Sequence, residues 1–183
     1  MKPKKIPETQ PAFAAIDFET ADTGADSACA VGVVRVQGGR ITQRWHRLIR
    51  PPRRNFLFTY IHGITWPQVC AEPTFAQLWP EVEAVIGDVD FLAAHNARFD
   101  RRVLETCCQA AGLTAPARHY VCTVELARRT WSIFPTQLPA VCLRLGIELD
   151  HHQALSDAEA CARIVLAALK TGWRPAAAPL VVR

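Results

Sequence analysis

Four carboxylates and one imidazole stand where this chain would otherwise place apolar side chains: Asp17, Glu19, Asp100, His152 and Asp157. They fall in three islands, Phe13-Ala-Ala-Ile-Asp-Phe-Glu-Thr20, Ala94-His-Asn-Ala-Arg-Phe-Asp100 and His152-Gln-Ala-Leu-Ser-Asp157. Oxygen donors without a cysteine or histidine cluster suit a hard divalent cation, magnesium or manganese, rather than structural zinc. Hydrolysis of a phosphodiester by two such ions needs carboxylates that hold them about 4 Å apart, against the attacking and leaving oxygens. A base for the water is also needed, and an imidazole titrates near neutrality. His152, just ahead of Asp157, fits that role; His151 competes with it on residue type alone. The pattern points to an enzyme that cuts phosphodiester bonds.

The elements carrying these residues explain why they read as a site. Phe13 to Phe18 is a mainly apolar strand, and Asp17 and Glu19, two apart, share its face with Phe13 and Ala15. Solvated acids at a strand end would account for that pair alone. In a helix from about 97 to 111, closed by Gly112, Asp100 shares a face with Val103, Leu104, Cys107 and Ala111. In a helix over 155–169, Asp157 shares a face with Cys161, Ile164, Val165 and Ala168. Each acid thus occupies the first turn of an amphipathic helix on its inward side. A helix N-terminus favours a carboxylate by only about 0.3–1 kcal/mol. Burying an unpaired carboxylate costs several times that unless a cation compensates it. Capping therefore explains one inward acid, not two together with a strand-end pair.

The remaining pattern gives the architecture. Cys29 to Val36, a Gln37-Gly-Gly39 turn and Arg40 to Ile49 read as strand, turn, strand, making an antiparallel three-stranded meander with the first strand. Thr74 caps a helix with Phe75, Leu78, Val82, Val85 and Ile86 on one face, interrupted by Pro80. Val89 to Ala94 and His119 to Cys122 are short strands, and helices are expected over 123–131 and 138–145. A meander followed by strand–helix alternation predicts an α/β fold, a mixed sheet with later parallel strands and helices on both faces. Residues 1–11 read as a flexible basic arm, 12–172 as one domain, and 173–183 as a short Pro/Ala-rich tail.

Composition narrows the setting. No apolar run approaches the length of a membrane span, and the charged, proline-broken start lacks the apolar stretch of a signal peptide. Seven cysteines, an odd number without a Cys-x-x-Cys pair, read as reduced core residues of a cytoplasmic protein. The net charge of +4 is modest. Its arginine doublets, Arg53-Arg54, Arg101-Arg102 and Arg128-Arg129, could track a phosphate backbone, with ordinary surface charge the competing reading.

The three islands resemble, in order and internal spacing, the motifs of the DnaQ-like (DEDDh) 3′–5′ exonucleases of the RNase H-like superfamily. The similarity continues through Ile61-His-Gly-Ile-Thr65 and Cys122-Thr-Val-Glu-Leu-Ala-Arg128 and covers roughly 12–168. It selects His152 over His151 as general base. It implies two divalent ions, Mg²⁺ or Mn²⁺, with Asp17 bridging them, Glu19 and Asp157 completing the tighter site and Asp100 holding the second through water. Thr20 would grip the terminal sugar, and His62 and Asn96 would line the nucleotide pocket. A structural turn histidine and a side chain bonded to nearby backbone are the competing readings for those two. Phe18 and Phe99 read as core, although Phe18 could also pack beside a terminal base.

The loop Ala21-Asp-Thr-Gly-Ala-Asp-Ser27 departs from the Thr-Gly form common after the first motif. Asn96 to Leu104 and Leu126 to Trp131 are similar to exodeoxyribonuclease X. The polymerase-binding tail of the replicative proofreading subunit has no counterpart here, so polymerase association is not indicated and a stand-alone enzyme is expected. The resemblance implies hydrolysis from the 3′ end of DNA, single-stranded, to nucleoside 5′-monophosphates. An exoribonuclease of the same fold is the alternative, because the motifs serve both sugars. A noncatalytic nucleic-acid or polymerase-binding module is the reading from another class; it could dispense with an acid or the histidine, and this chain keeps all five.

Overall fold

The computed structural model of the chain describes residues 10–175. The outer parts of the expected arm and tail, 1–9 and 176–183, lie outside the described residues. β1 (Phe13–Thr20), β2 (Ala28–Gln37) and β3 (Arg40–Leu48) form the antiparallel meander. Gly38 and Gly39 make the second turn, both with positive φ, as the twist of a two-residue hairpin demands. Three helices follow, α1 (Thr59–His62), α2 (Trp66–Val69) and α3 (Phe75–Ile86). β4 (Phe91–Ala94) then pairs parallel with β1, and after α4 (Arg98–Ala110), β5 (His119–Cys122) pairs parallel with β4. α5 (Thr123–Trp131), α6 (Leu138–Leu145) and α7 (Ala154–Lys170) complete a sheet of order β3-β2-β1-β4-β5.

Two apolar layers sandwich this sheet, and β1 shows how residue alternation builds them. Ala14, Ile16 and Phe18 face a core shared with α3 and α4, whereas Phe13 and Ala15 face one shared with α5, α6 and α7. Asp17 and Glu19 continue the second row, so they are directed toward the α7 layer. Pro80 does not interrupt α3. The helix buries Phe75, Leu78, Trp79, Val82, Val85 and Ile86 and is closed at its start by a capping box between Thr74 and Gln77. Pro inside a helix costs about 3 kcal/mol, and each fully buried large apolar side chain returns about 1.5–3 kcal/mol, so burial wins. The four-residue helices α1 and α2 were not expected; at that length there is no periodicity to read, only the Thr65–Gln68 capping box of α2.

All seven cysteines are free thiols. Among the described residues no helix is long and apolar enough to cross a membrane.

One glycine sets the distance between sheet and site. Gly32 lies opposite Asp17 in the β1–β2 register, and α7 packs across these two strands. A Cβ at Gly32 would overlap the Ala154 carbonyl and the Leu155 nitrogen, the backbone of the first turn of α7. Only a bare backbone lets that turn settle beside Asp17. Gly32→Ala should therefore lift the start of α7 and destabilise the fold by about 1–3 kcal/mol, the usual overpacking penalty. A urea midpoint equal to wild type would contradict this account of the helix–sheet contact.

Candidate active site

The acids converge at the carboxyl ends of β1 and β4. Carboxylate oxygens of Asp17, Glu19 and Asp157 lie within 4.8 Å of one another. Asp100 stands beside this triangle, its Oδ1 accepting the Phe18 N–H at 3.1 Å, and is 1% exposed. Asp157 is also buried. Its Oδ2 accepts the His152 backbone N–H at 3.2 Å and lies 2.9 Å from His151 Nδ1, while its Oδ1 has no partner among the described residues. Local backbone aims these groups. A register shift between Glu19 and Thr20 ends the β1–β2 ladder at the acids, a common place for a bulge. Asn96 (φ 63°) and His152 (φ 67°) adopt the left-handed conformation just before α4 and α7.

Electrostatics show that the set lacks positive charge. Burial, reinforced by Asp100, Asp157 and Glu19, raises the Asp17 pKa well above the carboxylate range. Burial, with Asp157 and Asp100, pushes Glu19 to about 8. Burial carries Asp100 to about 7 despite the Phe18 hydrogen bond, and Asp157 is raised by burial against the opposing pull of His151. Such acids cannot all be charged at neutral pH unless a cation joins them. Three converging carboxylates, all-oxygen donors and an orphaned buried Oδ1 fit a divalent metal ion.

Around the acids opens a cavity of about 300 Å³, walled by His95, Phe99, Gln137, Leu138, His151 and His152. A larger, mainly apolar cavity of about 410 Å³ near Ile49, Trp66 and Phe75 has one carboxylate, Asp26, and that is neutralised by Arg53. Chemistry belongs to the smaller one. Residues 14–165 match a family described as exonuclease.

The chain belongs to this exonuclease family.

It is 32% identical over 158 residues to the PolC-type DNA polymerase III of Thermotoga maritima, which covers 84% of this chain and 12% of the polymerase. The PolC-type polymerase of Halalkalibacterium halodurans is 33% identical over 169 residues, 87% of this chain and 11% of that one. The chain thus spans 11–12% of the length of these relatives. Among solved structures, exonuclease X in complex with 5′ overhanging duplex DNA superposes with a TM-score of 0.72 and 27% identity, covering 88% of this chain and 94% of that one. The nuclease domain of 3′hExo, a DEDDh family member bound to rAMP, gives 0.75 at 21% identity over 88% and 93%. The mixed sheet is the RNase H-like fold of these exonucleases, and the resemblance carried by the three motifs holds.

Within this exonuclease domain the other singled-out residues have distinct places. Phe18 is core, 2% exposed, and what it gives the site is its backbone N–H. Phe99, expected in the core, is instead 43% exposed on the cavity wall. It precedes Asp100 on α4, so turning the acid inward turns the phenyl ring outward. Thr20 is buried, and its carbonyl accepts from His62 Nε2 at 3.2 Å. His62 Nδ1 accepts the Ile64 N–H at 3.0 Å, which leaves the proton on Nε2. His62 therefore ties α1 to the end of β1. Asn96 is exposed and lies outside the carboxylate cavity.

His95 was missed, although it sits inside the second island. Its Nε2 donates to the Thr136 carbonyl and its Nδ1 meets Thr123 Oγ1, both at 2.8 Å, so it fastens the 134–138 loop to the cavity. A histidine directly after a buried strand was the available signal.

The raised acids set a pH dependence. An acid with a raised pKa keeps its proton in the folded state longer than in the unfolded chain. Its stabilisation is complete below the unfolded value of about 4 and is lost as pH climbs through the folded value. For Glu19 and Asp100 that loss extends to about 8 and about 7. Acids paired with arginine, such as Glu159 at about 2, act with the opposite sign and only at lower pH. In EDTA the melting temperature should fall between about pH 5 and 8, and Mg²⁺ or Mn²⁺ should restore it most at the upper end. Asp17→Asn should raise the metal-free value at the upper end. A melting temperature that neither falls with pH nor responds to metal would refute the assignment of these shifts.

Proposed function

We propose that this chain is a divalent-metal-dependent 3′–5′ exonuclease of the DEDDh type, carried by residues 12–172, that trims single-stranded DNA to nucleoside 5′-monophosphates. The observation that carries the reading is the convergence of Asp17, Glu19 and Asp157 within 4.8 Å, with Asp100 beside them and His152 in the same cavity wall. Asp17, Glu19, Asp157 and Asp100 would hold the metal. When bound, two Mg²⁺ or Mn²⁺ ions would supply the positive charge that the acids lack and stabilise charge on the scissile phosphate.

His152 accepts the proton of the attacking water in this reading. Burial and the neighbouring His151 lower its pKa, so the ring is neutral at physiological pH, as a base must be. Among the described residues its ring nitrogens make no hydrogen bond, and the ring stacks on His151 at 3.7 Å. His151, in contrast, is engaged with the Asp157 carboxylate through Nδ1. The water oxygen bonds to phosphorus, the bond from phosphorus to the 3′-oxygen of the preceding nucleotide breaks, and that oxygen leaves with the electron pair and takes up a proton. The products are a nucleoside 5′-monophosphate and a strand shortened by one residue with a new 3′-hydroxyl.

DNA is favoured by the relatives, which include polymerases named for DNA and an exonuclease X bound to duplex DNA. RNA is the second reading, since the fold is shared with a 3′-exonuclease that recognises a histone mRNA stem-loop. The reduced thiols fit a cytoplasmic setting.

The test is a time course on 5′-labelled single-stranded DNA and matched RNA with Mg²⁺, Mn²⁺ or EDTA. A metal-dependent ladder shortening from the 3′ end is expected, faster on DNA and abolished in Asp17→Ala. An intact label in every lane with folded protein, or full activity in folded Asp17→Ala, would end this reading.

The choice of base is tested separately. His152→Ala should lose about 10²–10⁴-fold in rate, the span of general-base contributions, and far more than His151→Ala. Equal losses would remove the support for His152.

A further inference from the structure

The doublets in the sequence do not distinguish arginines that are free to meet a ligand from those already engaged. Tertiary contacts do. Arg53 forks onto both Asp22 and Asp26, and Arg54 lies over the Trp66 ring. Arg44 and Arg163 share Glu159, Arg47 bonds Glu81, and Arg35 is held by Asp88. Arg98, Arg101 and Arg128 are placed differently. From α4 and α5 they converge on a cavity of about 450 Å³ whose other polar walls are Asn96, Tyr120 and Glu125.

These three keep their charge available. Arg98 is exposed and makes no hydrogen bond or ion pair among the described residues. Arg101 pairs with Glu105 one turn along its own helix, an exposed pair of the kind worth only a few tenths of a kcal/mol. Its guanidinium also lies 6.0 Å from the Tyr120 ring centre. Arg128 donates to the neutral Thr136 Oγ1 at 3.0 Å and lies 5.8 Å from the Phe134 ring centre, contacts that bring no opposite charge. The Tyr120 hydroxyl is buried without a partner among the described residues. The one carboxylate lining the cavity, Glu125, is itself paired with Arg129 at 3.5 Å.

The cavity's location gives it a role. Residues 95–101 form a wall common to two cavities: His95 and Phe99 face the carboxylates, while Asn96, Arg98 and Arg101 face the arginine side. A strand whose end lies at the acids and that runs along this wall would meet the arginines. We propose that this arginine cavity seats backbone phosphates of the nucleic-acid strand whose 3′ end lies at the carboxylates. The proposal rests on the exonuclease reading and extends it from the bond that is cut to the strand leading away. Guanidinium forks match phosphate oxygens with paired hydrogen bonds, and the exposed Asn96 amide can donate to phosphate or sugar. Such contacts hold the strand without reading its sequence.

Binding is measured on the full chain in EDTA, so that hydrolysis plays no part, by fluorescence anisotropy of labelled single-stranded oligonucleotides over a range of salt. Arg98→Ala and Arg128→Ala should each weaken binding and make the slope of log K against log salt shallower by about 0.7, the single-strand value per phosphate contact. The loss should be larger for a long oligomer than for a dinucleotide. Glu125→Gln should tighten binding, and Arg102→Ala, exposed and outside the cavity, should leave the slope as it is. With Mg²⁺ restored, the arginine variants should lose more in KM than in kcat. Arg128→Ala also releases Thr136, but Arg98 has no hydrogen bond or ion pair among the described residues, so its variant tests the cavity with the fold intact. An unchanged slope in Arg98→Ala and in the doubly substituted Arg98→Ala, Arg128→Ala protein would overturn the proposal while leaving the exonuclease reading standing. A wild-type protein that binds no oligonucleotide in EDTA would overturn it too, whereas the exonuclease reading falls only with the metal-dependent 3′ ladder.

Discussion

Like-charge repulsion among buried acids is the constraint that the rest of this structure answers. Two unit charges 4 Å apart interact by about 4 kcal/mol at the effective dielectric of a protein near its surface. Asp17, Glu19 and Asp157 make three such close pairs, with Asp100 adding to them. Were all of them ionised with no cation present, the sum would rival the whole stability of a typical domain, about 5–15 kcal/mol. The acids therefore cannot hold themselves together; the scaffold must do it. β1 is paired on both sides, antiparallel with β2 and parallel with β4, and apolar layers close both faces of the sheet. The first turn of α7 rests on the bare backbone of Gly32, so apolar packing along α7 fixes where Asp157 must lie. Local relief is small: one backbone N–H each for Asp100 and Asp157, and the starts of two helices.

That division of labour explains what could be read in advance. Asp17 and Glu19 stood out because a strand repeats every two residues and an acid in its apolar row is an anomaly. Asp100 and Asp157 stood out for the same reason on helices, where an acid on the apolar stripe needs an explanation beyond capping. Both inferences use only local periodicity, the most dependable signal in a chain. The layers, the meander and most element bounds followed from that signal too. What escaped depends on contacts made far along the chain. His95 acquires its task from Thr123 and Thr136. Phe99 is apolar and looked like core; its exposure follows from the orientation of its neighbour Asp100. Nothing in residue type separates these cases.

Arginine illustrates the same limit with charge. Of the doublet Arg53-Arg54, for which ordinary surface charge is the better reading, Arg53 is committed to two aspartates in the loop after β1 and Arg54 lies over an indole. That commitment has its own use. Asp22 and Asp26, held below the usual carboxylate range by Arg53, fold the loop that departs from the Thr-Gly form. The fork does the work of shaping this loop beside the site. Arg98, which stands alone in sequence terms, keeps its charge uncompensated. Counting basic residues thus gives a fair account of net charge and a poor one of where a polyanion would lie.

Backbone strain at the two helix entries completes the argument. Asn96 and His152 are non-glycine residues with φ above 60°, a conformation that costs about 1–2 kcal/mol for an L-residue. Each comes directly or almost directly before an acid-bearing helix. At His152 the left-handed turn has a visible consequence: its N–H reaches back to Asp157 Oδ2 while its imidazole remains in the cavity wall. Glycine would adopt the same turn without strain and keep the N–H, but it would carry no ring. A residue in the ordinary right-handed region would keep the ring and send the N–H elsewhere. Only a strained histidine supplies both the hydrogen bond that orients the carboxylate and an imidazole beside it. The strain at residue 152 is therefore a requirement of the site, carried by the stability that Gly32 and the α7 packing provide.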